Sequence, residues 1–173
     1  IVTIPLAGAI EHQDSTGGSG IIRSGDVQIM SAGTGVEHSE FNASEIEEAR
    51  VLQLWVFPKV KDIEPRYDQK TFSVEGRINK FQVVVSPNDS EALWINQDAY
   101  FSLCEPQAGQ TILYTMRGDR FCVYFFLIEG NVKIDGQELN KRDAAGFADE
   151  SKIEITAKQN SKILAVEIPK GLE

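Results

Sequence analysis

Two residues of the chain, His38 and Glu40, have the types and the spacing of a pair of metal ligands. They follow a glycine-rich stretch that runs from Gly25 to Gly35. On a β-strand, side chains two residues apart point to the same face, so this imidazole and this carboxylate can converge on one point. Mixed nitrogen and oxygen ligands suit non-haem iron and other divalent first-row metals. The pair therefore predicts half of a transition-metal site.

The sequence offers few further ligands for such a site. The chain holds one other histidine, His12, which lies in a turn-like polar run. We interpret His12 as a structural residue, hydrogen-bonded in a hairpin near Asp14, with a position on the pocket wall as the alternative. Arg66 and Tyr67 are interpreted as packing within a linker rather than as substrate contacts.

The chain begins with Ile1 rather than with Met, and its first four residues read as the middle of a strand. Nothing here resembles a signal peptide, which would show a basic flank, a longer apolar run and a small-residue cleavage site. We therefore expect Ile1 to follow a removed or unobserved segment, and we expect further metal ligands to lie upstream of it.

Composition favours a soluble globular protein. Of the 173 residues, 42% are hydrophobic and 25% are charged, and no apolar run approaches the roughly 20 residues that span a bilayer. The net charge of −9 argues against nucleic acid and anionic membranes as direct partners. Two cysteines, Cys104 and Cys122, are too few for a secreted disulfide framework. This favours buried reduced thiols in a cytoplasmic protein, with a lone disulfide as the alternative.

Apolar residues alternate with a period of two along most of the chain, which is typical of an antiparallel all-β protein. Asp135-Gly136 predicts a two-residue type I′ hairpin. Pro5 lacks the ladder donor and predicts an edge or a bulge in the first strand. The acidic stretch 43–49 predicts a loop or a single turn, with Ser44 as its cap. The predicted strands are Ile1–Leu6, Val27–Met30, Val51–Phe57, Lys80–Val85, Leu93–Ile95, Thr111–Tyr114, Phe121–Ile128, Asn131–Ile134, Ile153–Thr156 and Lys162–Ile168.

The two halves of the chain share a faint repeat of strand, glycine, hairpin, aspartate and strand. This repeat suggests two copies of a small β-barrel, joined near the polar stretch 58–74. We predict an N-terminal barrel over residues 1–60, which carries half of the metal site. Residues 61–173 are predicted to form the linker and the C-terminal barrel.

The repeat also predicts which barrel holds the metal. Asp143 of the second copy corresponds to Asp26 of the first. Counted from Asp143 with the same spacing, Ile155 stands at the position of His38 and Ala157 at the position of Glu40. Neither aliphatic side chain can ligate a metal. The second copy is therefore predicted to keep the scaffold and to lack the ligands.

The glycine-rich stretch and its histidine resemble the second sequence motif of the cupin superfamily. Gly25, Gly33, His38 and Asn42 fit that motif, with Ser31 in place of its proline and two extra residues before the histidine. A glutamate two residues after the histidine is a feature of pirins that most cupins lack. The stretch therefore resembles the pirin family more closely.

Two further segments, residues 11–15 and 65–67, are similar to bacterial pirins of the quercetinase type. The resemblance covers the whole chain, strongly over residues 1–75 and weakly after that. It implies an all-β bicupin of two antiparallel β-barrels (double-stranded β-helices), the first incomplete at its N-terminus.

The resemblance implies one mononuclear metal in the N-terminal barrel, held by three histidines and Glu40. His38 is one of these histidines, and in the family the other two belong to a His-x-His-x3-Glu motif just before the position of Ile1. Iron is the expected metal, with nickel, cobalt, copper, manganese and zinc as alternatives. With two of four ligands, we expect this chain to hold metal weakly or not at all.

The resemblance also implies an activity, the metal-dependent dioxygenation of flavonols such as quercetin. Glu40 would then be catalytic as well as a metal ligand, because a carboxylate beside the metal can take the proton of the flavonol 3-hydroxyl. The partner would be this small aromatic substrate. Two alternatives stay open: a metal- or redox-sensing binding protein that acts through a protein partner, and an inactive storage or structural bicupin.

Overall fold

The computed structural model describes residues 1–171, so the last two residues of the predicted C-terminal domain lie outside it. These residues form β-strands and one short 3-10 helix, Val74–Gly76, which confirms the all-β prediction. Within this range no helix is long and apolar enough to cross a membrane. The strands are β1 Val2–Ala7, β2 Ala9–Asp14, β3 Ser19–Arg23, β4 Asp26–Ser31, β5 His38–Asn42, β6 Arg50–Leu54, β7 Arg66–Thr71, β8 Gln82–Ser86, β9 Leu93–Trp94, β10 Tyr100–Cys104, β11 Thr111–Thr115, β12 Phe121–Glu129, β13 Asn131–Ile134, β14 Gln137–Asn140, β15 Ala144–Ala148, β16 Lys152–Ala157 and β17 Lys162–Pro169.

The strands divide between two compact units. The first unit contains Ile1–Phe72 and Pro87–Gln97, and the second contains Ser73–Ser86 and the residues from Asp98 onward. Each unit has its own set of buried apolar residues.

The first unit is built from two antiparallel sheets with the strand orders β6-β1-β4-β7 and β3-β2-β5. The central strands β1 and β4 are buried on both faces over most of their length. One face of each is apolar, and it carries the core residues Val2, Ile4, Val27 and Ile29. The other face carries polar residues, which contribute to the site described below.

Two local predictions in this unit are confirmed. The pairing of β1 with β6 shifts register between Pro5 and Ala7, so Pro5 lies beside a bulge in a central strand. Residues 43–49 form no helix. Ser44 Oγ accepts hydrogen bonds from the backbone N–H groups of Ile46 and Glu47, which gives the single capped turn.

Arg66 and Tyr67 differ from their sequence interpretation, because they lie in a strand rather than in a linker. Arg66–Thr71 forms β7, which pairs antiparallel with β4 along its whole length. Arg66 is paired with Asp68 at 3.2 Å, and its guanidinium lies 4.8 Å from the centroid of the Trp94 ring. The polar composition of this segment gives no apolar alternation, although all but the last residue of the strand are half-buried.

The second unit packs five consecutive strands of a six-stranded sheet, β15-β12-β17-β10-β8, and a sheet of order β11-β16-β13-β14 around one apolar core. Phe125 is fully buried in this core and makes edge contacts with Tyr114 and Phe147, with ring centroids 5.2 and 5.9 Å apart. Ile155 and Ala157 belong to the same core, with exposed fractions of 0% and 1%.

A buried carboxylate, Glu167, is the main polar group within this core. Its oxygens accept hydrogen bonds from the Tyr114 hydroxyl at 2.6 Å, from Arg117 Nη1 at 2.8 Å and from the Arg117 backbone N–H at 2.7 Å. A buried charge is tolerated when it is paired and hydrogen-bonded in this way. Burial, followed by the contact with Glu167, raises the pKa of Tyr114.

The hairpin prediction is confirmed, since Asp135 and Gly136 both have positive φ values, 44° and 86°, between β13 and β14. Both cysteines are free. Cys104 is fully buried, and burial raises the pKa of its thiol to about 12. Cys122 is only half-buried, because its position on β12 alternates with the core positions, so the prediction of burial is wrong for this residue.

Candidate functional site

The register of β2 against β5 places four polar side chains on one face of the three-stranded sheet. His12 is directly opposite Glu40, and Asp14 is directly opposite His38. Directly paired residues share a face, and so do residues two apart on a strand. Two imidazoles and two carboxylates therefore lie side by side on rigid strands.

The turn that precedes β5 explains part of the glycine-rich stretch. Gly33 has a φ of 54°, and a Cβ at this position would overlap with the backbone carbonyl oxygen of Ile63. That oxygen accepts a hydrogen bond of 3.0 Å from the backbone N–H of Thr34. Glycine is required here because the chain turns against another backbone segment shortly before β5, which begins at His38.

Asp14 links the β2–β3 hairpin to the site. Its Oδ1 accepts hydrogen bonds from the backbone N–H and the hydroxyl of Thr16, at 2.8 and 2.6 Å, and from the backbone N–H of Gly18 at 3.0 Å. Its Oδ2 lies 3.0 Å from Nε2 of His12. The bonds from Thr16, followed by the one from His12, hold the pKa of this carboxyl well below its usual range.

His12 is fully buried between two other rings. Its ring centroid lies 4.6 Å from that of Tyr67 and 5.8 Å from that of His38, with both pairs stacked. Its Nδ1 lies 3.8 Å from Oε1 of Glu40, which is too far for a hydrogen bond, and this nitrogen has no hydrogen-bond partner. A buried polar atom without a partner is rare and calls for an explanation.

Glu40 receives its hydrogen bonds from the other sheet of the unit. Gln53 Nε2 donates to its Oε2 at 2.8 Å, and the Thr3 hydroxyl donates to its Oε1 at 3.4 Å. Thr3 pairs directly with Gln53 on one side and with Gln28 on the other. These three side chains therefore form a polar row across β6, β1 and β4, on the face that reaches Glu40.

The polar row continues to β7, where Gln69 pairs with Gln28. Gln69 accepts a hydrogen bond of 2.8 Å from the Tyr67 hydroxyl and donates one of 3.1 Å to Asp26. Burial, followed by the nearby carboxylates beginning with Asp14, raises the pKa of Tyr67 to about 12. Gln28 is fully buried, and both polar atoms of its amide lack a hydrogen-bond partner.

The structure brings together His38, Glu40 and His12, the residues that the sequence singles out, and it adds Asp14 as a direct partner. The predicted hydrogen bonding of His12 near Asp14 is confirmed. The sequence reasoning missed Thr3, Gln28 and Gln53, although polar residues in otherwise apolar strands are a signal that could have found them. Within residues 1–171, no group of three or more His, Cys, Asp and Glu side chains is arranged to hold a metal ion. The chemistry of the donors, an imidazole beside a carboxylate, nevertheless fits part of the ligand set of a first-row metal.

Comparison with protein-family models gives two matches that together cover most of the chain. Residues 1–56 match the pirin model, and residues 83–168 match the model of the quercetinase C-terminal cupin domain. A pirin-like protein of Caulobacter vibrioides is 38% identical over 169 residues, which cover 96% of this chain and 72% of that protein. The chain belongs to the pirin family.

Other members of the family are named for an activity or for a bound metal. Quercetin 2,3-dioxygenase of Escherichia coli K12 is 34% identical over 171 residues, which cover 98% of this chain and 72% of that protein. The crystal structure of YhhW from E. coli superposes with a TM-score of 0.92 at 32% identity, and covers 99% of this chain and 72% of its own. The nickel(II) complex of the same pirin gives a TM-score of 0.89 at 32% identity, with 97% and 71% covered. These likenesses confirm the bicupin fold.

Proposed function

We propose that this pirin is a metal-dependent dioxygenase that opens flavonols such as quercetin. The observation that carries the proposal is the cluster of His12, Asp14, His38 and Glu40 on one sheet face, with an unpartnered buried nitrogen aimed at Glu40. The names of relatives at 34% identity, quercetin 2,3-dioxygenase among them, support the reaction class.

His38 and Glu40 would hold the metal, as an imidazole and a carboxylate on the same face of β5. When bound, a divalent first-row metal supplies Lewis acidity that makes a coordinated hydroxyl easier to deprotonate. Iron is the proposed metal, and nickel is the strongest alternative because a relative has been crystallised with nickel(II).

Glu40 would take the proton of the flavonol 3-hydroxyl. Gln53 occupies Oε2 with a strong hydrogen bond, whereas Oε1 has only the long contact with Thr3. Oε1 is therefore the oxygen with free capacity to accept a proton. The resulting flavonol anion is electron-rich and reacts with dioxygen, while the fixed strands hold the flat ligand in place.

Oxygen uptake in the presence of quercetin tests this function. We expect uptake that depends on both quercetin and added metal, and that disappears in the Glu40→Gln variant. Metal binding without oxygen uptake would contradict the enzyme and would favour the alternative of a metal-sensing protein that acts through a partner.

A further inference from the structure

The buried Nδ1 atom of His12 is the atom on the ligand face of β2 whose environment calls for an explanation. The side chain is fully buried, and the nitrogen has no hydrogen-bond partner. The other nitrogen of the same ring, Nε2, is held by Asp14 at 3.0 Å. One half of the imidazole is therefore fixed, and the other half faces the site.

The partner of Nε2 determines what Nδ1 can do. Asp14 accepts three hydrogen bonds at Oδ1, from Thr16 and Gly18, which is the arrangement of a carboxylate that can only accept at Oδ2. Nε2 must therefore carry the hydrogen, and in the neutral ring Nδ1 carries a lone pair. His12 presents an acceptor to the site.

A carboxylate oxygen, which is also an acceptor, lies close to this nitrogen. Oε1 of Glu40 lies 3.8 Å from Nδ1, and the two atoms make no hydrogen bond with each other. Two acceptors that face each other, one fully buried and one half-buried, are stabilised by a donor that reaches both. The 3.8 Å separation lets one donor group reach both atoms.

We propose that Nδ1 of His12 and Oε1 of Glu40 form an acceptor pair that binds a hydroxyl group of the ligand. The proposal rests on the function proposed above. In that function, His12 is the residue that favours binding of flavonols, which carry a 3-hydroxyl, over flavones, which lack it. The unpartnered amide of Gln28 supports a polar ligand here, since it is next to Thr3, a direct contact of Glu40.

Two ligands that differ only in the 3-hydroxyl, quercetin and luteolin, test the proposal. Binding is measured without oxygen, through the change in tryptophan emission, on the parent protein and on His12→Gln. The glutamine amide reaches the position of Nε2 and keeps the bond with Asp14, but it places no acceptor at Nδ1. We expect His12→Gln to weaken quercetin binding about tenfold, which is the loss of one hydrogen bond, and to leave luteolin binding unchanged.

His12→Asn is the matched control, because its side-chain oxygen reaches the position of Nδ1 and should retain the preference for quercetin. An equal loss of both ligands in His12→Gln, or a parent that shows no preference or binds neither ligand, would overturn the proposal. Nitrogen-15 spectra of the parent, which has only two imidazoles to assign, give a test that needs no variant. The Nδ1 signal of His12 should move on addition of quercetin. A parent that prefers quercetin but consumes no oxygen would refute the dioxygenase and keep this inference.

Discussion

The side-chain amide of Gln53 donates a hydrogen bond of 2.8 Å to Oε2 of Glu40. The orientation of this amide follows from its other neighbour, since the indole N–H of Trp55 lies 3.0 Å from Oε1 of Gln53. An indole N–H can only donate, so the amide oxygen must face Trp55 and the amide nitrogen must face Glu40. Trp55 thereby fixes which end of Gln53 meets the carboxylate.

Replacement of Gln53 by Leu should weaken metal binding. The substitution removes the donor that orients Glu40, and outer-shell partners of metal ligands are worth about 10–100-fold in affinity. We expect about tenfold, at the low end of that range, because Gln53 is exposed to solvent. Calorimetric titration with Ni²⁺ measures the change. Gln13→Leu is the control, since it also removes an amide–carboxylate bond, with Glu11, on the outer face of β2. Equal affinities for the parent and Gln53→Leu would contradict the assigned role.

In metal-loaded protein, replacement of Glu40 by Gln should lower turnover of quercetin by about 10²–10⁴-fold, the range for loss of a positioned general base. The amide keeps the size and one oxygen, but it cannot take the proton. Because His38→Ala should act first through loss of metal, the rate must be expressed per bound metal. A Glu40→Gln protein that keeps its metal and works at the parent rate would show that the carboxylate is not the base.

Stability should depend on Asp14 in a particular pH range. Its pKa in the folded protein lies below the ordinary value of 3.8, so the ionised form stabilises the fold. This contribution is fully present above about pH 4 and is lost as the pH falls toward the lowered pKa. In urea unfolding, the free energy of unfolding of Asp14→Asn should be lower than that of the parent at pH 7. This gap between the two free energies should narrow below pH 4. Thr16→Ala removes one bond to Asp14 and should show a smaller gap. A gap that does not change with pH would contradict the assignment.

The core of the second unit should govern stability without affecting metal binding. Phe125 is fully buried among aromatic rings, and Phe125→Ala should lower the free energy of unfolding by about 3–5 kcal/mol. Leu113→Ala, on an exposed position of β11, should change it little. Urea unfolding measures stability, and Ni²⁺ titration under native conditions measures affinity. A loss of Ni²⁺ affinity in folded Phe125→Ala would contradict the view of this unit as a scaffold.

The sequence predicts the second unit better than the first, and the reason is the polarity of the site. In β13 and β16 buried apolar residues alternate with polar outward ones, so the period of two is visible. In β2 the inward positions near the site are His12 and Asp14, and β7 carries Tyr67 and Gln69 on its inner face. Strands that line a polar site lose the apolar alternation by which strands are recognised.

The candidate site was predictable where its residues belong to one strand. His38 and Glu40 are two apart on β5, so strand geometry alone predicts that they share a face. The contact of Glu40 with His12 depends on how β2 pairs with β5, and the contact with Gln53 joins different sheets. Register and sheet packing are long-range properties that a local pattern does not encode.

The hairpin tip at residues 15–18 has a consequence for engineering and for natural variation. Exposed tips with small residues are ordinarily the places where a chain accepts insertions. Here the carboxylate that receives the N–H groups of Thr16 and Gly18 is the same one that holds the buried ring of His12. An inserted residue between Ser15 and Gly18 would release that carboxylate. The fold would survive the lengthened turn, but Nε2 of the buried His12 ring would lose its fixed partner. The length of this small surface loop therefore affects how the residue of the proposed ligand contact is held.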